Sequence, residues 1–123
     1  MFAYVYIVAS QQNGTIYTGV TSDLVQRAYQ HRHALVPGFS QQYGCKLLVW
    51  YEGHDSIEAA ITREKRIKDW RRSWKIEMIT DRNLDWRDLA DDLLGPGVRR
   101  DDNAFAAVGT FNGLEKLKDW VFE

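Results

Sequence analysis

Tyr4-Val5-Tyr6-Ile7-Val8 and Thr15-Ile16-Tyr17-Thr18-Gly19-Val20, joined through Gln11-Gln12-Asn13-Gly14, decide how this chain folds. Two runs of β-branched and aromatic residues around Asn-Gly predict a β-hairpin. If Gln11 to Gly14 all lie in the loop, Ser10 faces Thr15 and Tyr17 faces Val8. If Asn13-Gly14 alone turns, Tyr17 faces Ser10. Side chains alternate with period two, so either register puts Tyr17 on the sheet face of Tyr4 and Tyr6. One face of the hairpin is therefore rich in phenol hydroxyls. Taken alone, that is also what ordinary core tyrosines look like.

The rest of the chain supports a single domain with an appendage. Its 123 residues include five Trp, six Tyr and five Phe, enough large apolar area for a core. The single Cys45 forms no internal disulfide, which fits a cytoplasmic location. No apolar run approaches the ~20 residues of a membrane span, and the apolar N-terminus lacks the basic region of a signal peptide. A net charge of −1 argues against coating nucleic acid by bulk charge. The distribution is uneven, however. Residues 1–80 hold ten Lys/Arg against seven Asp/Glu, and residues 81–123 hold six against ten. Arg63, Lys65, Arg66, Lys68, Arg71, Arg72 and Lys75 crowd one stretch, which suits a polyanion or a solvated helix face.

In chain order, Thr21 and Ser22 are N-cap candidates for a helix from Asp23 to about Ala34. Its inward stripe is Leu24, Arg27, Ala28, His31 and Leu35. Arg27 and His31 lie one turn apart on that stripe, where a cation is costly unless it is paired or borders a cleft. Val36 to Ser40 reads as a loop, and Cys45 to Tyr51 as a third strand. Asp55 and Glu58 form a capping-box pattern before a helix from Ser56 to about Arg71. Its apolar stripe, Ile57, Ala60, Ile61 and Ile67, has Glu64 in the middle. That carboxylate calls for a metal or a cation, and Arg27 is a candidate partner. Ser73 is the expected cap of a helix through Ile79, and Asp85 to Leu94 reads as a further helical segment. Gly95-Pro96-Gly97 marks the boundary between a domain over 1–94 and a linker with a C-terminal helical appendage over 95–123. Asn112 is the cap candidate in the appendage.

Two helices thus place an Arg, a His and a Glu on stripes that face a tyrosine-bearing sheet. Arginine clamps phosphate in a bidentate manner. A lone carboxylate with open coordination sites suits Mg²⁺, which keeps most of its waters. A tyrosine or histidine can take a proton from water nearby. Together they suit metal-assisted phosphodiester hydrolysis. In order and spacing these residues resemble the GIY-YIG nuclease family, in particular its small stand-alone members. Val5-Tyr6-Ile7 stands for the first motif, with Val5 for Gly, and Tyr17-Thr18-Gly19 for the second, with Thr18 for Ile. The run Gly19 to Arg27 and then His31 matches the next block. Arg63-Glu64-Lys65-Arg66-Ile67-Lys68 matches the block with the metal-binding Glu, and Asn83 with Trp86, Asp88 and Leu89 matches the closing one.

The resemblance implies an α+β fold, a three-stranded antiparallel sheet flanked by helices. It implies an endonuclease acting on DNA with Mg²⁺ or Mn²⁺ on Glu64, and Arg27 steadying the phosphate. Family analogy favours Tyr6 as general base with Tyr17 positioning water or phosphate, although the residues themselves leave the two tyrosines equal. His31 and Asn83 complete the implied catalytic set. Arg63, Lys65, Lys68, Arg71 and Arg72 are the candidate nucleic-acid contacts, and a partner protein is a possible source of specificity. The competing readings are a non-catalytic nucleic-acid-binding module, and a protein-interaction domain in which Arg27 and Glu64 form a buried ion pair. A zinc site from His31, His33, Cys45 and His54 matches no finger spacing.

Overall fold

The hairpin forms in the first of the two registers. Ser10 N–H donates to Thr15 O at 2.9 Å and Gly14 N–H to Gln11 O at 2.9 Å. Val8 lies opposite Tyr17 and Tyr6 opposite Gly19. Asn13 takes a positive φ of 60°, a conformation that asparagine tolerates better than most side chains. The computed structural model describes residues 2–94. The elements are β1 (Ala3–Ala9), β2 (Ile16–Thr21), α1 (Leu24–Arg32), α2 (Phe39–Gln42), β3 (Leu47–His54), α3 (Ile57–Asp69), α4 (Arg72–Arg82) and α5 (Ala90–Leu94). The strands make one antiparallel sheet in the order β2-β1-β3, flanked by helices, an α+β fold. The expected linker over 95–97 and appendage over 98–123, with its cap at Asn112, lie outside the described residues.

Central strand β1 is apolar on both faces because both are covered. Val5, Ile7 and Val20 pack with Ala60, Ile67, Ile79 and Trp86 on one side. Tyr6, Val8 and Tyr17 pack with Leu24, Ala28, Leu48 and Ala90 on the other. Helices α1 and α3 therefore cover opposite faces of the sheet. A shared apolar stripe within each helix could not reveal which face it would take.

Several boundaries differ from the sequence reading, each for a local reason. Asp23, not Thr21 or Ser22, caps α1 and accepts from Gln26 N–H, while Thr21 Oγ1 accepts from Asp23 N–H at 3.0 Å. Helix α1 ends at Arg32, and Ala34 turns the chain at φ 57°. Leu35, expected on the inward stripe, is consequently 59% exposed. Ser56 rather than Asp55 caps α3 through Ala59 N–H. Trp70 then breaks the helix in an extended conformation, and α4 starts at Arg72 without a side-chain cap, so Ser73 plays no capping part. Strand β3 runs on to His54 because Ala3 and Tyr4 continue the ladder opposite His54 and Gly53.

The segment 85–89 is not helical. Asp88 Oδ1 accepts from Leu48 N–H at 3.1 Å and from Ala90 N–H at 3.0 Å, and its Oδ2 accepts from Arg32 at 2.7 Å. These bonds pin the coil to β3 and α1, and the helix begins only at Ala90. Among the described residues, no helix is long and apolar enough to cross a membrane.

Candidate active site

Tyr6, on the middle of β1, is the hub. Its ring runs across β2 at Gly19, where an added Cβ would lie 2.6 Å from the phenol oxygen. Glycine is thus needed for close approach, because a methyl group there would displace the ring. The phenol meets two residues of α1. Arg27 Nη1 donates to it at 3.4 Å, and His31 Nε2 lies 3.0 Å away. The other imidazole nitrogen, Nδ1, is 3.2 Å from Ser40 Oγ on α2. Tyr17 closes the group, its ring centroid 6.5 Å from that of Tyr6 and 5.8 Å from that of His31.

The group is almost dry. Tyr6, Arg27 and His31 are 1–2% exposed, and Ser40 and Tyr17 are buried with them. Among the described residues, the hydrogen bond of the Arg27 guanidinium is the one to Tyr6. A guanidinium presents five N–H donors, more than the single Tyr6 oxygen can accept. Burial pushes the Tyr6 phenol above its ordinary value. Arg27 pulls it back down through its charge and hydrogen bond, and Glu64 adds a smaller upward push. Burial, and then the Arg27 charge, lower the His31 pKa to about 3. His31 is therefore neutral at physiological pH and has one N–H to share between Tyr6 and Ser40.

Glu64 lies on α3, which covers the other face but also packs against edge strand β2. Its side chain is buried, and it pairs with Lys68 one turn on, not with the Arg27 weighed from sequence. Lys68 Nζ in turn sits 6.0 Å from the centroid of the Tyr17 ring. Glu64 is thus tied to the tyrosines both by its influence on Tyr6 and by its pairing with Lys68. Its donor set is one hard carboxylate. No group of three or more His, Cys, Asp or Glu converges among the described residues. That set fits a cation that keeps most of its water, such as Mg²⁺ or Mn²⁺, and does not fit zinc.

The remaining candidates are placed differently. Asn83 ends α4, and both polar atoms of its amide are engaged with backbone. Nδ2 donates to Val49 O and Arg87 O, and Oδ1 accepts from Arg87 N–H. It clamps the closing block to β3 and does not join the Tyr6 cluster. Of the basic candidates, Arg63 is held by Glu52 at 2.9 Å and lies over Trp70. Arg72 donates to the carbonyls of Asn13 and Gly14 and braces the hairpin loop. Lys65 and Arg71 are exposed, with Arg71 over the Trp74 ring. Ser40 was read from sequence only as part of a loop. Its bond to His31 comes from tertiary folding and leaves no periodic signal. Lys68 as the partner of Glu64 did leave one, the i, i+4 spacing.

The GIY-YIG catalytic domain family model matches residues 2–77 of the chain. Two relatives are small proteins of Staphylococcus. UPF0213 protein SSP2268 of Staphylococcus saprophyticus is 30% identical over 78 residues, covering 63% of this chain and 94% of that protein. UPF0213 protein SH2523 of Staphylococcus haemolyticus is 33% identical over 79 residues, covering 64% and 95%. No solved structure matches the chain significantly.

Proposed function

The chain belongs to the GIY-YIG catalytic-domain family, and we propose that it is a divalent-metal-dependent endonuclease that hydrolyses phosphodiester bonds in DNA. One observation carries the proposal. Arg27 is a buried guanidinium hydrogen-bonded to a buried tyrosine, and that tyrosine touches a neutral histidine. This arrangement supplies a phosphate clamp and a proton acceptor within one hydrogen-bonding radius.

In this reading Arg27 holds the phosphate and offsets the charge that develops on its oxygens. Tyr6 takes the proton of the attacking water. It does so as the phenolate, which the charge and hydrogen bond of Arg27 favour, while His31 Nε2, 3.0 Å away, orients the oxygen. Tyr17, next to both, orients the water or the phosphate. Glu64 is the residue that would hold Mg²⁺ or Mn²⁺, and the ion when bound supplies Lewis acidity at the phosphate. Asn83 contributes by holding the 83–90 segment against β3. Lys65 and Arg71, exposed beside the site helix, serve as backbone contacts for the nucleic acid, whereas Arg63 and Arg72 spend their donors within the fold. The nuclease domain spans 1–94, and a partner protein or the remaining residues supply specificity.

One observation favours a different class, a non-catalytic nucleic-acid-binding or protein-interaction module. Glu64 already has a cation beside it in Lys68. Incubating the protein with supercoiled plasmid and a panel of branched, single-stranded and duplex DNA, with and without Mg²⁺ or Mn²⁺, separates the readings. Metal-dependent cleavage is expected. Salt-sensitive binding with no cleavage under any metal would favour the module.

A further inference from the structure

Three of the exposed large apolar side chains among the described residues fall within ten positions: Leu35 at 59%, Phe39 at 47% and Tyr43 at 50%. Phe39 and Tyr43 lie on and just after α2. The Phe39 ring stacks on Tyr17, centroids 6.2 Å apart and planes 26° from parallel. Tyr43 continues the series at 4.6 Å from Phe39. An aromatic ladder therefore runs from the buried site to solvent, from Tyr17 through Phe39 to Tyr43.

The ladder is held in place. Ser40, between its two outer rungs, is bonded to His31, and Cys45 N–H donates to Ser40 O at 2.8 Å. Gln41 Nε2 donates to Ala34 O at 2.8 Å and ties the helix to the end of α1. The ladder also lies in acid-free sequence. Between Asp23 and Glu52 there is no Asp or Glu; Arg32 is neutralised by Asp88 and Asp91, while Arg27 at the site and the exposed Lys46 form no ion pair among the described residues. A protein partner that used apolar contact alone would have no need of that one-sided charge. A strand with flat bases and a phosphate at every step matches both features.

We propose that Phe39 and Tyr43 form a stacking platform for unpaired bases of the DNA strand being cut, adjoining the nucleotide whose phosphate sits at Arg27. The inference rests on the nuclease reading for the position of that phosphate. Bases in a duplex already stack on each other and offer no face to Phe39, so the platform selects substrates with an unpaired stretch next to the scissile bond.

The test uses the full chain without divalent metal, so that nothing is cleaved. A single-stranded oligonucleotide carrying 2-aminopurine is titrated with protein, beside the same label in a duplex. Stacking on the ladder quenches the single-stranded probe. Phe39→Ala and Tyr43→Ala each weaken single-strand binding about 5- to 100-fold, and duplex binding hardly changes. Phe39→Trp restores binding and quenching, which a variant that had merely lost its fold could not support. Absence of quenching with the wild-type chain overturns the proposal, whether a second copy or another part of the chain covers the ladder. Equal losses on single strand and duplex overturn it too. A wild type that binds and quenches but never cleaves when metal is restored upholds the platform and removes the nuclease reading.

Discussion

Replacing Glu64 by Gln separates a metal ligand from a structural ion pair. A carboxylate on the apolar stripe of α3 invites the expectation that its loss strands a buried cation, at a cost of about 3–5 kcal/mol. The geometry argues for less. The partner is Lys68, whose side chain is 30% exposed against 3% for Glu64. Lys68 can swing its ammonium into water when the carboxylate is gone, so no charge is left buried. A pair with one partner this exposed contributes about 0–1 kcal/mol. Glutamine keeps the volume against Ala60 and Ile67, and it removes the cost of burying an anion. The expected change in metal-free stability is therefore within about 1 kcal/mol, a shift of at most ~8 °C in Tm for a domain of this size. Mg²⁺ or Mn²⁺ should raise the melting temperature of the wild type but not of the variant, and plasmid nicking should disappear while DNA binding persists. Melts in EDTA and in metal, run beside a nicking assay, check this. A metal-independent loss of about 3 kcal/mol or more, or undiminished nicking by the variant, would refute the reasoning.

Arg27→Ala should slow cleavage about 100- to 1,000-fold with little change in metal affinity, as measured by single-turnover kinetics and metal titration; near-wild-type turnover would remove Arg27 from the site. Gly19→Ala puts a Cβ 2.6 Å from the Tyr6 phenol, so cleavage should fall sharply while the far-ultraviolet circular dichroism stays that of the wild type. The His31 pKa of about 3 is depressed from 6.5, so the unfolded chain takes up a proton that the fold refuses. Stability contributed by neutral His31 is then complete above pH 6.5 and is lost as pH falls toward 3, at most ~2 kcal/mol of it by pH 5. Urea melts at pH 7 and 5 should show this loss in the wild type and not in His31→Gln. Among the described residues, 2–94 already supply a core on each face of the sheet, so a chain ending at Leu94 should melt cooperatively and retain metal-dependent cleavage. A chain that fails to fold would place the domain boundary further on.

The hairpin could be read from the sequence because its cause is local. Alternating β-branched and aromatic residues around Asn13-Gly14 permit few structures, and period two put Tyr6 and Tyr17 on one face whichever register formed. The stripes of α1 and α3 were legible for a similar reason, since spacing alone decides which residues share a helix face. It marked Arg27, His31 and Glu64 as polar groups turned inward. Spacing says nothing about which sheet face a helix covers. That α1 and α3 take opposite faces, with α3 also against edge strand β2 and Glu64 paired to Lys68 there, was settled by packing. Contacts between distant segments decided the rest. Asp88 holds 85–89 as coil because it bonds Leu48 and Arg32, about 40 and 56 residues away in sequence. Asn83 spends its amide on β3 and the 87 carbonyl, and Ser40 enters the site only because α2 folds back onto His31. A side chain's face follows from the repeat of its own element, whereas its hydrogen-bond partner depends on how the elements come together, and that is where the tertiary structure decides.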